Sequence, residues 1–243
     1  MMLLKACLNG ARAPVEHPAL PVTAAQLADD AVAARSVGAG AVHVHVKDEQ
    51  GADTFLSREL AEVLAAVDAA APGLPIGVTT GAWSLPDPTD RIAAIHSWSR
   101  LPTFASVNWH EDGADQVAAA LLARGIAVEA GLWHVNAVRA WSKSPVRDRC
   151  LRVLLELPDG LNDDDTATEA RLLLDAVRRV TADRIPVLLH GEGSSCWPAL
   201  RYAGNLGLQT RIGLEDTLYL PDGSLAPSNG ALVSTAVELL REA

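Results

Sequence analysis

Eight short apolar runs recur along the chain, each followed by a stretch with helical periodicity. That alternation constrains the fold more than any other feature. The runs lie at 3–8, 41–46, 75–79, 104–108, 126–130, 150–156, 186–190 and 210–215. Between them, Leu60, Val63, Leu64 and Val67 mark one face of a helix, and Ala170, Leu173, Leu174 and Val177 another. Thr23 with Gln26, and Thr166 with Glu169, read as capping boxes that start helices. Asp163–Asp165 and Asp87–Asp90 read as acidic helix starts. Strands that alternate with helices pair in parallel, and eight of them close into a (β/α)8 barrel. An open, doubly wound sheet is the alternative. No glycine-rich phosphate loop follows the first strand. A length of 243 residues suits one such barrel, and no linker or repeat divides 1–243.

Composition narrows the function. A net charge of −10 argues against a nucleic-acid partner, which requires a basic face. No apolar run is long enough to span a membrane. Cys7, Cys150 and Cys196 are odd in number and widely spaced, so neither a disulfide framework nor a cysteine metal site is indicated. A reducing, cytoplasmic setting is expected.

The strongest local signal is Ala41-Val-His-Val-His-Val-Lys-Asp48. Side chains alternate along a strand, so the valines face the helices while His43 and His45 share the barrel interior, roughly 7 Å apart at their Cα atoms. Two imidazoles so placed can converge on one divalent ion. Arg211-Ile-Gly-Leu-Glu-Asp216 offers a third ligand. There the alternation turns Arg211, Gly213 and Glu215 inward, near the C-terminal rim where barrel active sites lie. Gly213 is expected to clear space near the ion. An inward Arg211 needs a carboxylate such as Asp216, or an anionic substrate. His190 and Glu192, at the end of the seventh run, are rival ligands or neighbours of the ligands. Thr79, Thr80 and Gly81 offer hydroxyls and N–H groups for a carboxylate. Ser106 and Asn108 share a strand face, and Glu129 is expected at the inward end of the fifth strand. Each of these residues alone also fits a cap or a turn. Their convergence at one rim argues for a site. The segment of Trp133, His134, Arg139, Trp141, Lys143 and Arg147 is expected to be a loop, serving as a lid, a phosphate site or surface packing.

These motifs together resemble the β-keto acid cleavage enzymes, relatives of 3-keto-5-aminohexanoate cleavage enzyme. The resemblance runs through most of the chain: Leu8-Asn9-Gly-Ala11, His17-Pro-Ala-Leu-Pro-Val-Thr23, His43-Val-His-Val-Lys-Asp48, Thr79-Thr-Gly81, Ser106 and Arg211-Ile-Gly-Leu-Glu-Asp216. It implies a (β/α)8 barrel assembled as a homotetramer. It implies a zinc ion on His43, His45 and Glu215, with Mn2+ or Co2+ as alternatives. It implies that a β-keto acid and acetyl-CoA become acetoacetate and a new CoA ester. Asp216, oriented by Arg211, is then the general base, and Thr79 and Ser106 hold the substrate carboxylate. Two positions depart from the best-known members. Arg12 stands where they carry a glutamate that meets a substrate amino group, which favours a neutral or anionic substrate side chain. Ser106 stands in place of a threonine. The remaining alternatives are a metal-dependent aldolase or hydrolase on the same ligands, and a metal-free barrel that only binds a small molecule.

Overall fold

The computed structural model describes residues 2–182 and 184–242; Met1, Asp183 and Ala243 lie outside them. The strands are β1 (Leu4–Cys7), β2 (Ala41–Val44), β3 (Ile76–Thr79), β4 (Phe104–Asn108), β5 (Ala127–Leu132), β6 (Arg152–Leu157), β7 (Val187–Gly191) and β8 (Thr210–Ile212). Each is followed by a helix: α1 (Ala24–Ser36), α2 (Ser57–Ala70), α3 (Pro88–Ser97), α4 (Ala114–Ala123), α5 (Val135–Ser142), α6 (Asp163–Thr181), α7 (Cys196–Asn205) and α8 (Asn229–Glu242). All paired strands run parallel, in the order β7-β6-β5-β4-β3-β2-β1-β8. The ring closes through a parallel bridge between Leu188 and Gln209, where Leu189 N donates to Gln209 O and Gln209 N to Val187 O. The expected (β/α)8 barrel is therefore observed.

The main apolar core lies between sheet and helices. Val42 and Val44 face outward into it, as alternation requires, and share it with the buried stripe Leu60, Val63, Leu64 and Val67 of α2. Leu173, Leu174 and Val177 of α6 cover the opposite side. The barrel interior is different: its lower half is polar. Lys5 and Glu129 are both fully buried and pair at 2.6 Å, and Arg152 Nε lies 3.2 Å from Glu129. Lys5 sits 5.4 Å from the Phe104 ring centroid. That ring occupies the space a Cβ on Gly77 would need. A charged pair capped by an aromatic face thus forms the floor beneath the upper cavity.

Several boundaries differ from the sequence expectation. Helix α1 begins with the Thr23–Gln26 capping box, and α3 is capped by Asp87. Helix α6 starts earlier than Thr166: Asn162 caps it by accepting from Asp165 N, and Thr166 lies inside the first turn. The 133–147 segment is mostly helix, because the His134 ring accepts from Ala137 N and starts α5. Strand β5 continues to Leu132, so Glu129 is mid-strand and belongs to the floor. Strand β8 ends at Ile212, so Glu215 and Asp216 stand on a turn. Gly213 does not face the ion site: a Cβ there would strike the Cys7 carbonyl.

Candidate metal centre and active-site cavity

A cavity of about 550 Å³ opens at the C-terminal rim. His43 and His45 from β2 point into it, together with Thr79, Ser106, Arg211 and Glu215. His43 Nε2 lies 4.0 Å from Glu215 Oε2, and His45 Nε2 lies 3.9 Å from the same oxygen. The three ligand atoms lie within 4.8 Å of one another. Glu215 Oε2 is buried and makes no hydrogen bond, so it aims an unused lone pair between two imidazoles. Burial, then the nearby positive groups Lys5, His45 and Arg211, push the His43 pKa well below its ordinary value. A neutral imidazole is the form that binds a metal. The donor set of two nitrogens and one carboxylate leaves further coordination positions open, as catalytic sites require. These residues fit a divalent ion.

Two features around the ligands were not singled out in the sequence. After β2 the chain turns back through Asp48–Gly51, where Asp48 Oδ1 accepts from Gln50 N and Ala52 N. Gly51 takes φ +81° there, which glycine tolerates freely. The hairpin returns Asp53 to His45, with Nδ1 and Oδ2 2.9 Å apart. Burial disfavours the Asp53 carboxylate, but His45, Lys47 and Trp83 outweigh burial and hold its pKa at about 2. Trp83 then stacks on His45, ring centroids 5.8 Å apart. A turn-borne aspartate ten residues beyond the first histidine leaves no periodic signal, which is why pattern reading missed it.

On the other side, Arg211 Nη2 donates to Asp216 Oδ1 at 2.7 Å and lies 2.9 Å from Glu215 Oε1. Arg211 is therefore the link between the candidate metal ligand Glu215 and the expected base. Burial opposes ionisation of Asp216, yet Arg211 and His190 hold its pKa below the ordinary value. Asp216 is wholly covered and does not line the cavity. His190 is buried behind Arg211, between Asp216 Oδ1 at 3.5 Å and Glu156 Oε2 at 3.2 Å. It neighbours the candidate ligands and is not one of the three residues grouped to hold an ion. Glu156 and Glu192 do face the cavity. Burial, acting against the attraction of His190 and Arg211, pushes Glu192 up to about 7.

The other expected contacts divide in the same way. Thr79 and Ser106 are cross-strand partners and both reach the cavity. Thr80 is buried and donates its hydroxyl to Ser106 O. Gly81 lies beneath the Trp83 ring, where a Cβ would clash. Asn9 is buried and ties loop to strand: its side chain donates to His45 O and Pro21 O and accepts from His45 N. Glu129 stays in the floor. Thr80, Gly81, Asn9 and Glu129 are therefore not among the residues that line the cavity. Arg12 lines the cavity, with Nε donating to Leu214 O at 2.6 Å and Nη1 pairing with Glu16 at 3.0 Å.

Fold and site together define a (β/α)8-barrel enzyme with a candidate two-histidine, one-carboxylate metal centre at its rim. The family model described as beta-keto acid cleavage enzyme matches residues 2–243, and the chain belongs to that family. It is 22% identical to the 3-keto-5-aminohexanoate cleavage enzyme of Fusobacterium nucleatum over 99% of this chain and 92% of that protein. It is 26% identical to the 3-oxoadipate:acetyl-CoA acetyltransferase of Cupriavidus necator over 93% of this chain and 84% of that protein. The apo structure of ObcA superposes with a TM-score of 0.75 at 17% identity, over 93% of this chain and 63% of that one. The chain thus spans under two thirds of ObcA, and that likeness concerns the fold alone. Among the described residues, no helix is long and apolar enough to cross a membrane.

Proposed function

We propose that the protein is a divalent-metal-dependent transferase that converts a β-keto acid and acetyl-CoA into acetoacetate and a new acyl-CoA. The observation that carries this reading is the His43–His45–Glu215 triad, set beside paired hydroxyls on one side and the Arg211–Asp216 pair on the other. The names of the curated relatives support the same reaction class. Zinc is the proposed ion, given its preference for imidazole and carboxylate ligands in open sites. When bound, it supplies Lewis-acid polarisation of the keto oxygen.

The chain's own residues supply the rest. Thr79 and Ser106 donate hydroxyl hydrogen bonds to the substrate carboxylate and fix which carbon faces the base. Asp216 accepts the proton from the carbon between the two carbonyls. Arg211 keeps that carboxylate ionised and oriented. Because Asp216 is fully buried against Arg211, the transfer requires Arg211 to shift when substrate binds. Arg12 faces the distal part of the substrate and favours a neutral or anionic side chain there. A homotetramer in the cytoplasm accompanies this reading.

Metal analysis together with acetyl-CoA-dependent acetoacetate formation from a panel of β-keto acids tests it. Near-stoichiometric zinc, and turnover lost after chelation and in His43→Ala, are the expected outcomes. Metal retained without any CoA-dependent turnover would move the function to an aldolase or hydrolase on the same ligands.

A further inference from the structure

Asp53 is the hub of a cluster that the reaction above does not use. Lys47 Nζ donates to its Oδ1 at 2.6 Å, and Trp83 Nε1 donates to its Oδ2 at 2.9 Å. His45 Nδ1 reaches the same Oδ2 at 2.9 Å. Lys47 Nζ also donates to Gly10 O at 2.8 Å and Arg12 O at 3.2 Å, so the carboxylate is anchored to the loop after β1. An ionised carboxylate only accepts hydrogen bonds, so the ring proton of His45 must lie on Nδ1. The lone pair is then on Nε2, the atom that faces Glu215 Oε2.

Trp83 completes the arrangement. Its ring lies nearly parallel to His45, with 15° between planes, and covers the solvent side of the Asp53–His45 bond. It reaches that position because Gly81 carries no side chain. The indole is 51% exposed, and so adds little to the stability of the barrel. Its position is explained by what it covers.

We infer that Asp53 and Trp83 are positioning residues for His45. Asp53 fixes its tautomer, Trp83 fixes its rotation and excludes water, and together they present Nε2 to the ion. The inference rests on the metal-centre reading proposed above. Neither residue belongs to the group that could hold the ion, although Trp83 also lines the rim cavity.

Zn2+ titrated against a competing chromophoric chelator, with tryptophan emission read in parallel, tests it on the whole protein. Asp53→Asn is expected to weaken Zn2+ binding roughly 10–100-fold, as loss of an outer partner of a ligand histidine does. Trp83→Phe keeps a ring but loses the N–H, and is expected to weaken binding roughly 3–10-fold. Gly81→Ala displaces the indole without altering Asp53 or Trp83 themselves, and is expected to match Trp83→Phe. Zn2+ is expected to change the emission of the wild type and not that of Trp83→Phe. Thermal unfolding without metal checks each fold, and the half-exposed Trp83 site keeps the test usable if Asp53→Asn does not fold. If Trp83→Phe and Gly81→Ala bind Zn2+ indistinguishably from a wild type that does bind it, the positioning role is overturned and the metal centre stands. A wild type that binds no divalent ion overturns both.

Discussion

Arg12 reaches the cavity with half of its charge already answered. Glu16 takes one guanidinium nitrogen and the Leu214 carbonyl another, so a substrate group meets a guanidinium held in place and not a free-swinging one. Arg12→Glu is expected to cut kcat/KM for substrates with an anionic distal group about tenfold, ~1.4 kcal/mol, and to raise it for amino-bearing ones. Competition between two such substrates reads the change; an unaltered ratio would remove Arg12 from substrate selection. Glu192 makes a prediction about stability. Its folded pKa, about 7, lies above the ordinary glutamate value. The folded state therefore holds the proton over a range where the unfolded chain has lost it, and stability falls as pH rises from about 4.5 toward 7. Glu192→Gln removes that penalty. Its Tm is expected to exceed that of the wild type by roughly 2–4 °C at pH 8, the shift of about 1 kcal/mol in a chain this long, and to equal it at pH 4. Equal Tm differences at both values would count against a raised pKa.

At the level of elements, two strand ends decide what the side chains can do. Strand β5 runs to Leu132, which moves Glu129 three residues down from the rim and against Lys5. Glu129→Ala leaves Lys5 as an uncompensated buried cation. A loss of about 3–5 kcal/mol in urea unfolding is expected. The KM for the keto acid is expected to be unchanged in the fraction that remains folded. A raised KM with intact stability would instead put Glu129 in contact with substrate. Strand β8 is short for the opposite reason. Gly213 meets the Cys7 carbonyl, and Asp216 N and Thr217 N fold back onto Gly213 O, which swings Glu215 toward the histidines and Asp216 beneath Arg211. Neighbouring residues thus acquire different environments, one bordering the cavity and one sealed. Alternation along a strand predicts such a reversal in direction but not in depth.

Across the whole molecule, the first and last segments hold the ring together. Asn229, at the start of α8, accepts from Leu214 N and donates to Leu8 O and Asp30 Oδ2. His17 adds a second tie, with Nε2 donating to Ala226 O and Nδ1 accepting from Ala19 N. Asn229→Ala leaves a buried N–H and a buried carbonyl unpaired. It is expected to cost about 2–4 kcal/mol by denaturant unfolding, and to loosen Glu215 on the same turn. A loss below about 1 kcal/mol would show that the closure is carried elsewhere.

The barrel and the His43–His45–Glu215 group that could hold a metal were legible in the sequence because both rest largely on local periodicity. Apolar runs that alternate with helical stripes specify strands and helices, and a two-residue period puts His43 and His45 on one face. The Arg211–Asp216 pairing followed from the cost of an inward, unpaired guanidinium. What the sequence left open are relations between segments distant in the chain. Lys5 beneath Glu129, His190 between Glu156 and Asp216, and Asp53 returning to His45 under Trp83 depend on strand stagger and turn geometry. No periodicity within a segment records how far up the barrel a side chain lies. Only closure of the ring sets that height, and it separates the residues that line the cavity from those that hold its walls.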